Sequence, residues 1–262
     1  MSEAREPAMR LPHDRQHAIY MLALRQGSVD GADLARRYGV TTETIRRDLS
    51  DMQERNLLRR VHGGAVPIER VTHEPLLDVR DQMNAEEKLR IVTLAVEEVP
   101  ERGSVIIDSG STGRRLADVF PVDREVHVVT NSLPTALTLT RRGVHGLTVL
   151  GGAVRPNTLA MVDDTGCAEL EHMAIDTLFI SCDGLSFTHG LTTPHRHERA
   201  LKRAMIESAQ RVVALVDQSK FGNAQMFSFA RFDEIDVLVT DTRADAEAVE
   251  FLTGHGMTVR CA

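Results

Sequence analysis

Tryptophan is absent, aromatic residues make up 4% of the 262 positions, and lysine occurs only three times. With so few rings, a core must be packed from Leu, Val, Ile, Ala and Met, which the 42% hydrophobic content can supply. No run of about 18 apolar residues exists, so a transmembrane helix is not expected. The opening MSEAREPAMRLPHDR lacks an apolar segment and does not read as a secretory signal. Cys167, Cys182 and Cys261 cannot all pair and share no metal-type spacing. Neither a disulfide framework nor a structural metal is therefore expected, and no cofactor motif stands out. The simplest expectation is a cytoplasmic protein. At roughly 100–200 residues per domain, the length suits one large domain or two unequal ones.

What is present is unevenly distributed. The net charge is −7, which taken alone argues against nucleic acid. Residues 1–70 nevertheless hold 12 Arg against 10 Asp and Glu, and within 36–66 the balance is seven basic to four acidic. A mildly basic head on an acidic body suits a protein whose head alone touches DNA. Of the 31 basic residues 28 are Arg, leaving Lys88, Lys202 and Lys220. In a chain with this bias, each retained lysine carries information.

The head reads as a chain of short helices. Ile19, Leu22 and Ala23 fall at helical spacing over 13–26, and Gly27 stops that helix. Asp30 can cap a second helix through Leu34, Ala35 and Tyr38. Gly39 permits a tight turn, and Thr41 can cap a third helix opening with Thr42, Glu43 and Thr44. In that helix Ile45, Leu49 and Met52 stand at i, i+4 and i+7 and should face the core. Arg46 and Arg47 then flank the stripe and point outward. Two short helices joined by a glycine turn, the second carrying paired arginines, make a helix-turn-helix whose N-terminal residues meet base edges. The following run to Gly63-Gly64 reads as a hairpin wing. Arg60 and His62 on it can carry positive charge to the phosphate backbone.

Residues 67–84, with Pro67 and Pro75, read as an interdomain linker. Beyond it, helical segments alternate with continuous apolar runs at 104–108, 126–130, 147–150, 177–182, 212–216, 237–240 and 257–260. Strands that are apolar throughout belong to a parallel sheet covered on both faces. Such sheets bind ligands beyond their carboxyl ends. Polar residues gather there: Asp108-Ser109-Gly110-Ser111-Thr112 after the first strand, Asn131-Ser132 after the second, and Gly152 with Arg155 after the third. Asp183-Gly184 and Asp217-Gln218-Ser219-Lys220 follow two later strands. A glycine-rich turn at a helix start, with Ser and Thr hydroxyls, is an anion cradle. Lys220 is the candidate ammonium for a phosphate, and Asp183 the candidate acceptor for sugar hydroxyls.

The run Val40-Thr41-x-x-Thr44-Ile45-Arg46-Arg47-Asp48-Leu49, followed by Arg60-x-His62-Gly63-Gly64-Ala65, resembles the DeoR-type winged helix-turn-helix. The body is similar to the sensor domain of the same family, itself similar to ribose-5-phosphate isomerases and CoA transferases. The matching runs are 108–112, 130–132, 151–152, 183–184, 190–192, Glu198-x-x-x-Lys202 and Asp217-x-Ser219-Lys220-Phe221-Gly222. The resemblance covers nearly the whole chain. It implies a winged helix-turn-helix over 1–66 joined to a mostly parallel α/β effector-binding domain over 85–262. It also implies a repressor of carbohydrate-metabolism genes, released from double-stranded operator DNA by a phosphorylated sugar and assembled as a homodimer or homotetramer. His195-Arg196-His197 departs from a segment that is often more acidic in the family.

Two other functions compete. A sugar-phosphate isomerase-like enzyme could use Asp183 and Lys220 for proton transfer. The head weighs against it, because catalysis needs no recognition helix. A metal-sensing regulator would need more than His195-x-His197, since the 11 histidines are scattered.

Overall fold

The computed structural model describes residues 12–54, 58–61, 63–67, 75–144 and 146–262. It divides into two units, Met1–Pro75 and Leu76–Ala262. In the first, α1 (Pro12–Gln26), β1 (Val29–Asp30), α2 (Gly31–Tyr38), α3 (Thr42–Glu54), β2 (Leu58–Val61) and β3 (Gly64–Pro67) follow one another. Asp30 stands extended and its carboxylate accepts from the amides of Ala32 and Asp33, which satisfies two orphan donors and starts α2. Gly39 closes α2 at φ +65. The Thr41 hydroxyl accepts from the Thr44 amide at 3.1 Å and starts α3. The three strands pair antiparallel in the order β1-β3-β2, making the wing.

Ile45, Leu49 and Met52 lie within 2% of full burial, together with Ile19, Leu34, Tyr38 and Leu58. The helical spacing of the apolar residues is thus the packing pattern of the unit. A buried polar contact lies within this core. Arg15 on α1 donates to both carboxylate oxygens of Asp48 on α3, at 2.6 and 3.1 Å, and Gln16 adds a third bond.

The second unit opens with α4 (Leu77–Gln82) and α5 (Ala85–Ala95). Then come β4 (Arg102–Ile107), α6 (Ser111–Val119), β5 (Glu125–Thr130), α7 (Leu133–Arg142) and β6 (Leu147–Val149). The second half runs α8 (Asp164–Leu170), β7 (Ile175–Ile180), β8 (Gly184–Ser186), β9 (Gly190–Thr193), α9 (Arg196–Ser208) and β10 (Ala209–Leu215). It ends with β11 (Phe227–Ala230), β12 (Val237–Thr240), α10 (Ala246–Gly254) and β13 (Thr258–Cys261).

Seven strands form one sheet in the order β13-β12-β10-β7-β4-β5-β6, every pair parallel. Alternation along each strand serves two cores. Val105 and Ile107 of β4 pack with α5, α6 and α7 through Ile91, Leu116 and Leu139. Ile106 points the other way, toward Leu170, Leu201, Met205 and Leu252 of α8, α9 and α10. Both faces are buried, which is why these strands read as unbroken apolar runs. From β4 the chain winds outward through β5 and β6; from β7 it winds the opposite way. The gap between the carboxyl ends of β4 and β7 is a topological switch point, where open α/β sheets bind ligands.

Two expectations need correction. The interdomain segment was expected to extend through residue 84, yet 77–82 is the helix α4 and belongs to the second unit. Its entry at Leu76 has no side-chain cap, so no start signal is written in the sequence. Residues 68–74 of that segment lie outside the described residues. The stretches 184–186, 190–193 and 227–230, read as loops or not at all, form a small antiparallel sheet β11-β9-β8. Strands of three or four residues, buried along most of their length, are too short to display a period.

Candidate functional site

On the outer side of α3, Glu43 holds Arg46 through two bonds at 2.7 and 2.8 Å and approaches Arg47 at 3.4 Å. The Arg46 hydrogen bond keeps the Glu43 carboxyl well below its ordinary range, at about 2. Both arginine side chains remain more than half exposed. Thr42 is exposed at the helix start, while the Thr44 hydroxyl shares a 2.8 Å bond with its cap, Thr41. Arg60 of β2 is exposed but braced on α3, its amide donating to Gln53 and its guanidinium to Ser50. The wing therefore packs on the arginine-bearing helix and presents a basic group beside it. His62 lies outside the described residues.

In the second unit, a polar crevice opens at the switch point in two adjoining lobes, a larger and a smaller. The backbone explains its floor. Gly110 adopts φ +115, a conformation most side chains avoid, and turns the chain from β4 into α6. A Cβ on Gly113 would stand 2.2 Å from the Asp108 carbonyl oxygen, so only glycine lets α6 start this close to β4. Asn131 accepts from the Ser109 amide at 2.9 Å and donates to the Met161 carbonyl, fixing the loop from below.

The larger lobe is lined by Ser111, Thr112, Lys88 and Lys220, and the smaller by Ser109, Thr158, Asp183, Glu198 and Lys202; Arg80, Ser181 and Cys182 border both. All three lysines of the chain thus meet one crevice. Lys202 is deeply buried. Burial opposes its charge, but the paired Asp108 and nearby Glu198 outweigh it and raise its pKa. Lys88, also buried, has fewer compensating carboxylates. Burial lowers its pKa to about 7, with Asp217 pulling upward and Lys220 and Arg80 pushing down. Burial likewise opposes the Asp183 charge, yet Arg80, Lys220 and Lys202 hold its pKa below the ordinary value. Burial pushes the Cys182 thiol to about 12, which leaves it unreactive. Such a site offers cations and hydroxyls to an anion in one lobe and two carboxylates to hydroxyl groups in the other.

Ser109, Gly110, Ser111, Thr112, Asp183 and Lys220 reach the crevice wall as expected from the sequence. Five expected contacts do not. Asp108 is 1% exposed and occupied, accepting from Lys202 and from the Ser181 amide. Asn131 supports the loop, and the Ser132 hydroxyl caps α7. Gly152 lies against Asp163, and Arg155 is engaged by Glu198, one residue back from the lobe. Strand ends place these groups near the switch point, but their hydrogen bonds turn inward.

Arg80, Lys88, Thr158, Glu198 and Lys202 line the crevice without having been expected there. The rarity of lysine marks Lys88 and Lys202 without placing them, and the Glu198-x-x-x-Lys202 run marks Glu198 and Lys202. Arg80 sits on the uncapped α4 and Thr158 in a loop without a motif, so neither carried a signal. Among the described residues there is no cluster of three or more His, Cys, Asp or Glu able to hold a metal. No described helix is long and apolar enough to cross a membrane.

A family profile described as the DeoR-like helix-turn-helix domain matches residues 15–71, and one described as the DeoR C terminal sensor domain matches 83–242. The chain is 35% identical over 249 residues to the HTH-type transcriptional regulator GlpR of Haloferax volcanii, covering 95% of this chain and 97% of that one. It is 30% identical over 241 residues to the glycerol-3-phosphate regulon repressor of Escherichia coli, covering 92% and 95%. It is also 28% identical over 254 residues to the HTH-type transcriptional regulator IolR of Bacillus subtilis, covering 97% and 100%. Among solved structures, ribose 5-phosphate isomerase A of Methanocaldococcus jannaschii aligns with 53% of this chain and 55% of its own, at 17% identity and a TM-score of 0.40. A likeness that low carries no inference about chemistry.

Proposed function

The chain belongs to the DeoR family of helix-turn-helix regulators, and we propose that it represses carbohydrate-metabolism genes and leaves its operator when a phosphorylated sugar enters the crevice. The relatives are named as transcriptional regulators and repressors, which sets the isomerase-like alternative aside. One observation carries the effector reading: in a chain nearly devoid of lysine, all three lysines meet at the switch-point crevice beside the Ser111–Thr112 helix start. An ammonium, hydroxyls and a helix N-terminus together favour a dianion. Asp183 and Glu198 in the adjoining lobe suit the hydroxyls of the same molecule.

On the DNA side, Thr42, Glu43, Thr44, Arg46 and Arg47 on α3 and Arg60 and His62 on the wing form the proposed contact set. One short recognition helix reads too few base pairs to select a site from a genome, so the regulator acts as a homodimer or homotetramer on repeated half-sites, in the cytoplasm. Coupling arises because the effector binds the released state more tightly than the DNA-competent one, typically by about 1–3 kcal/mol.

The test is a mobility-shift titration with a panel of sugar phosphates on wild type and Lys220→Ala. Phosphorylated sugars should release wild type, free sugars should act far more weakly, and the variant should hold DNA yet resist induction. Release by a free sugar or a metal ion alone, or a normal response of the variant, would refute the reading.

A further inference from the structure

We propose that Thr158 is a specificity-determining residue of the crevice, reading a hydroxyl of the effector at the end away from its phosphate. The proposal rests on the phosphorylated-sugar reading above and adds which residue selects a polyol phosphate over a phosphate ester without hydroxyls.

The side chain is 2% exposed, borders the smaller lobe, and its hydroxyl has no hydrogen-bond partner among the described residues. A buried hydroxyl left unpaired is costly, so native proteins rarely keep one without use. Its charged neighbours in the lobe are all engaged. Asp183 accepts from Arg80 at 2.9 Å. Glu198 accepts from Arg155 and, at 2.8 Å, from the Thr193 hydroxyl. Lys202 donates to Asp108 and to the Ser181 carbonyl at 2.9 Å.

The turn that carries Thr158 is tightly specified. Leu159 stands at φ +53, a left-handed conformation that a bulky side chain adopts only when its surroundings impose it. Its amide donates to the Arg155 carbonyl, the Arg155 amide donates to Ala160, and the Asn157 carbonyl accepts from Leu77 at the start of α4. With the Leu133 amide of α7 donating to the Leu159 carbonyl as well, contacts to α4 and α7 hold the strained turn and keep Thr158 at the border of the lobe.

Hydrogen-bond polarity then selects the ligand group. Ionised Asp183 and Glu198 can only accept, so an effector hydroxyl gives its proton to one of them. Its oxygen lone pairs require a donor, and the Thr158 O–H is the uncommitted one. An effector hydroxyl at this point donates to one carboxylate and accepts from Thr158, whereas an alkyl phosphate does neither.

The experiment is calorimetric binding of glycerol phosphate, ribose phosphate, fructose phosphate, ethyl phosphate and inorganic phosphate to full-length wild type, Thr158→Val and Thr158→Ser. The valine keeps the shape and removes the hydroxyl; the serine keeps the hydroxyl. For whichever polyol phosphate binds wild type most tightly, Thr158→Val should weaken binding about tenfold, the worth of one hydrogen bond. Ethyl phosphate and inorganic phosphate should bind Thr158→Val like wild type, and Thr158→Ser should retain most of the polyol affinity. Equal polyol affinity of wild type and Thr158→Val, or equal losses for polyol and ethyl phosphates, overturns the assignment of Thr158 while leaving the phosphosugar reading standing. If wild type binds no phosphate ester, the phosphosugar reading itself fails, and the Thr158 assignment with it.

Discussion

The Arg80 guanidinium, on a helix that the sequence does not announce, donates to the Asp183 carboxylate at 2.9 Å across the mouth of the crevice. Both side chains are at most 15% exposed, so removing one partner strands a charge where water reaches it poorly. Arg80→Ala should therefore destabilise the second unit by about 3 kcal/mol, and Arg80→Ala with Asp183→Asn should recover much of that loss. Urea unfolding followed by far-ultraviolet circular dichroism measures both. Additive losses in the double variant would show that the pair is not coupled.

The first unit holds its own buried pair, Arg15 with Asp48, and both tyrosines, Tyr20 and Tyr38, are buried in the same unit. Tyrosine fluorescence thus reports on the head alone. Asp48→Ala should lower head stability by about 3–5 kcal/mol, because the Arg15 charge stays buried without its carboxylate. A tyrosine transition at the wild-type urea concentration would contradict this.

Arg46→Ala and Arg47→Ala should weaken operator binding without shifting that tyrosine transition, since both side chains are exposed beside the Ile45, Leu49 and Met52 stripe. A phosphate contact would weaken all sequences alike and flatten the salt slope by about one unit; a base contact would cost about 1–3 kcal/mol and relax one position. Wild-type operator affinity in both variants would place the recognition surface elsewhere.

Lys88 gives the crevice a pH signature. Its pKa is lowered to about 7 by burial, with Asp217 and Asp81 opposing that shift and Lys220 and Arg80 adding to it. At pH 8 the free protein carries a mostly neutral amine there. A phosphate dianion entering the larger lobe favours the charged form, raises this pKa, and so takes up a proton on binding. Calorimetry at pH 8 in two buffers of different ionisation enthalpy should detect uptake in wild type and lose it in Lys88→Met. Affinity should tighten as pH falls from 8 toward 7, where more of the free amine is already charged. Proton release on binding, or uptake unchanged in Lys88→Met, would remove Lys88 from the phosphate lobe.

The sequence by itself determined the head and the elements of the large parallel sheet, though not α4 or the small sheet of β8, β9 and β11. The Ile45, Leu49 and Met52 stripe, the Asp30 and Thr41 caps and the glycine turn at Gly39 are local signals that depend on neighbours a few residues away. They specify the head without reference to anything distant. The unbroken apolar strands announced a parallel sheet for a similar reason, since burial on both faces is written into each strand. The Ser109–Thr112 loop and Lys220 could be placed at its carboxyl edge on that basis alone.

Only the tertiary structure decided which edge groups face the crevice. Asp108 and Asn131 stand at strand ends like Ser109 and Ser111, but long-range partners claim them: Lys202 is 94 residues from Asp108, and the Ser109 amide is 22 from Asn131. Arg80 became a crevice residue because α4, without a cap or periodicity, is held by Leu77 to the Asn157 carbonyl and by Arg80 to Asp183. Thr158 was invisible for the same reason. The direction of a hydroxyl depends on a strained turn and on partners far away in the chain, and neither leaves a pattern among adjacent residues.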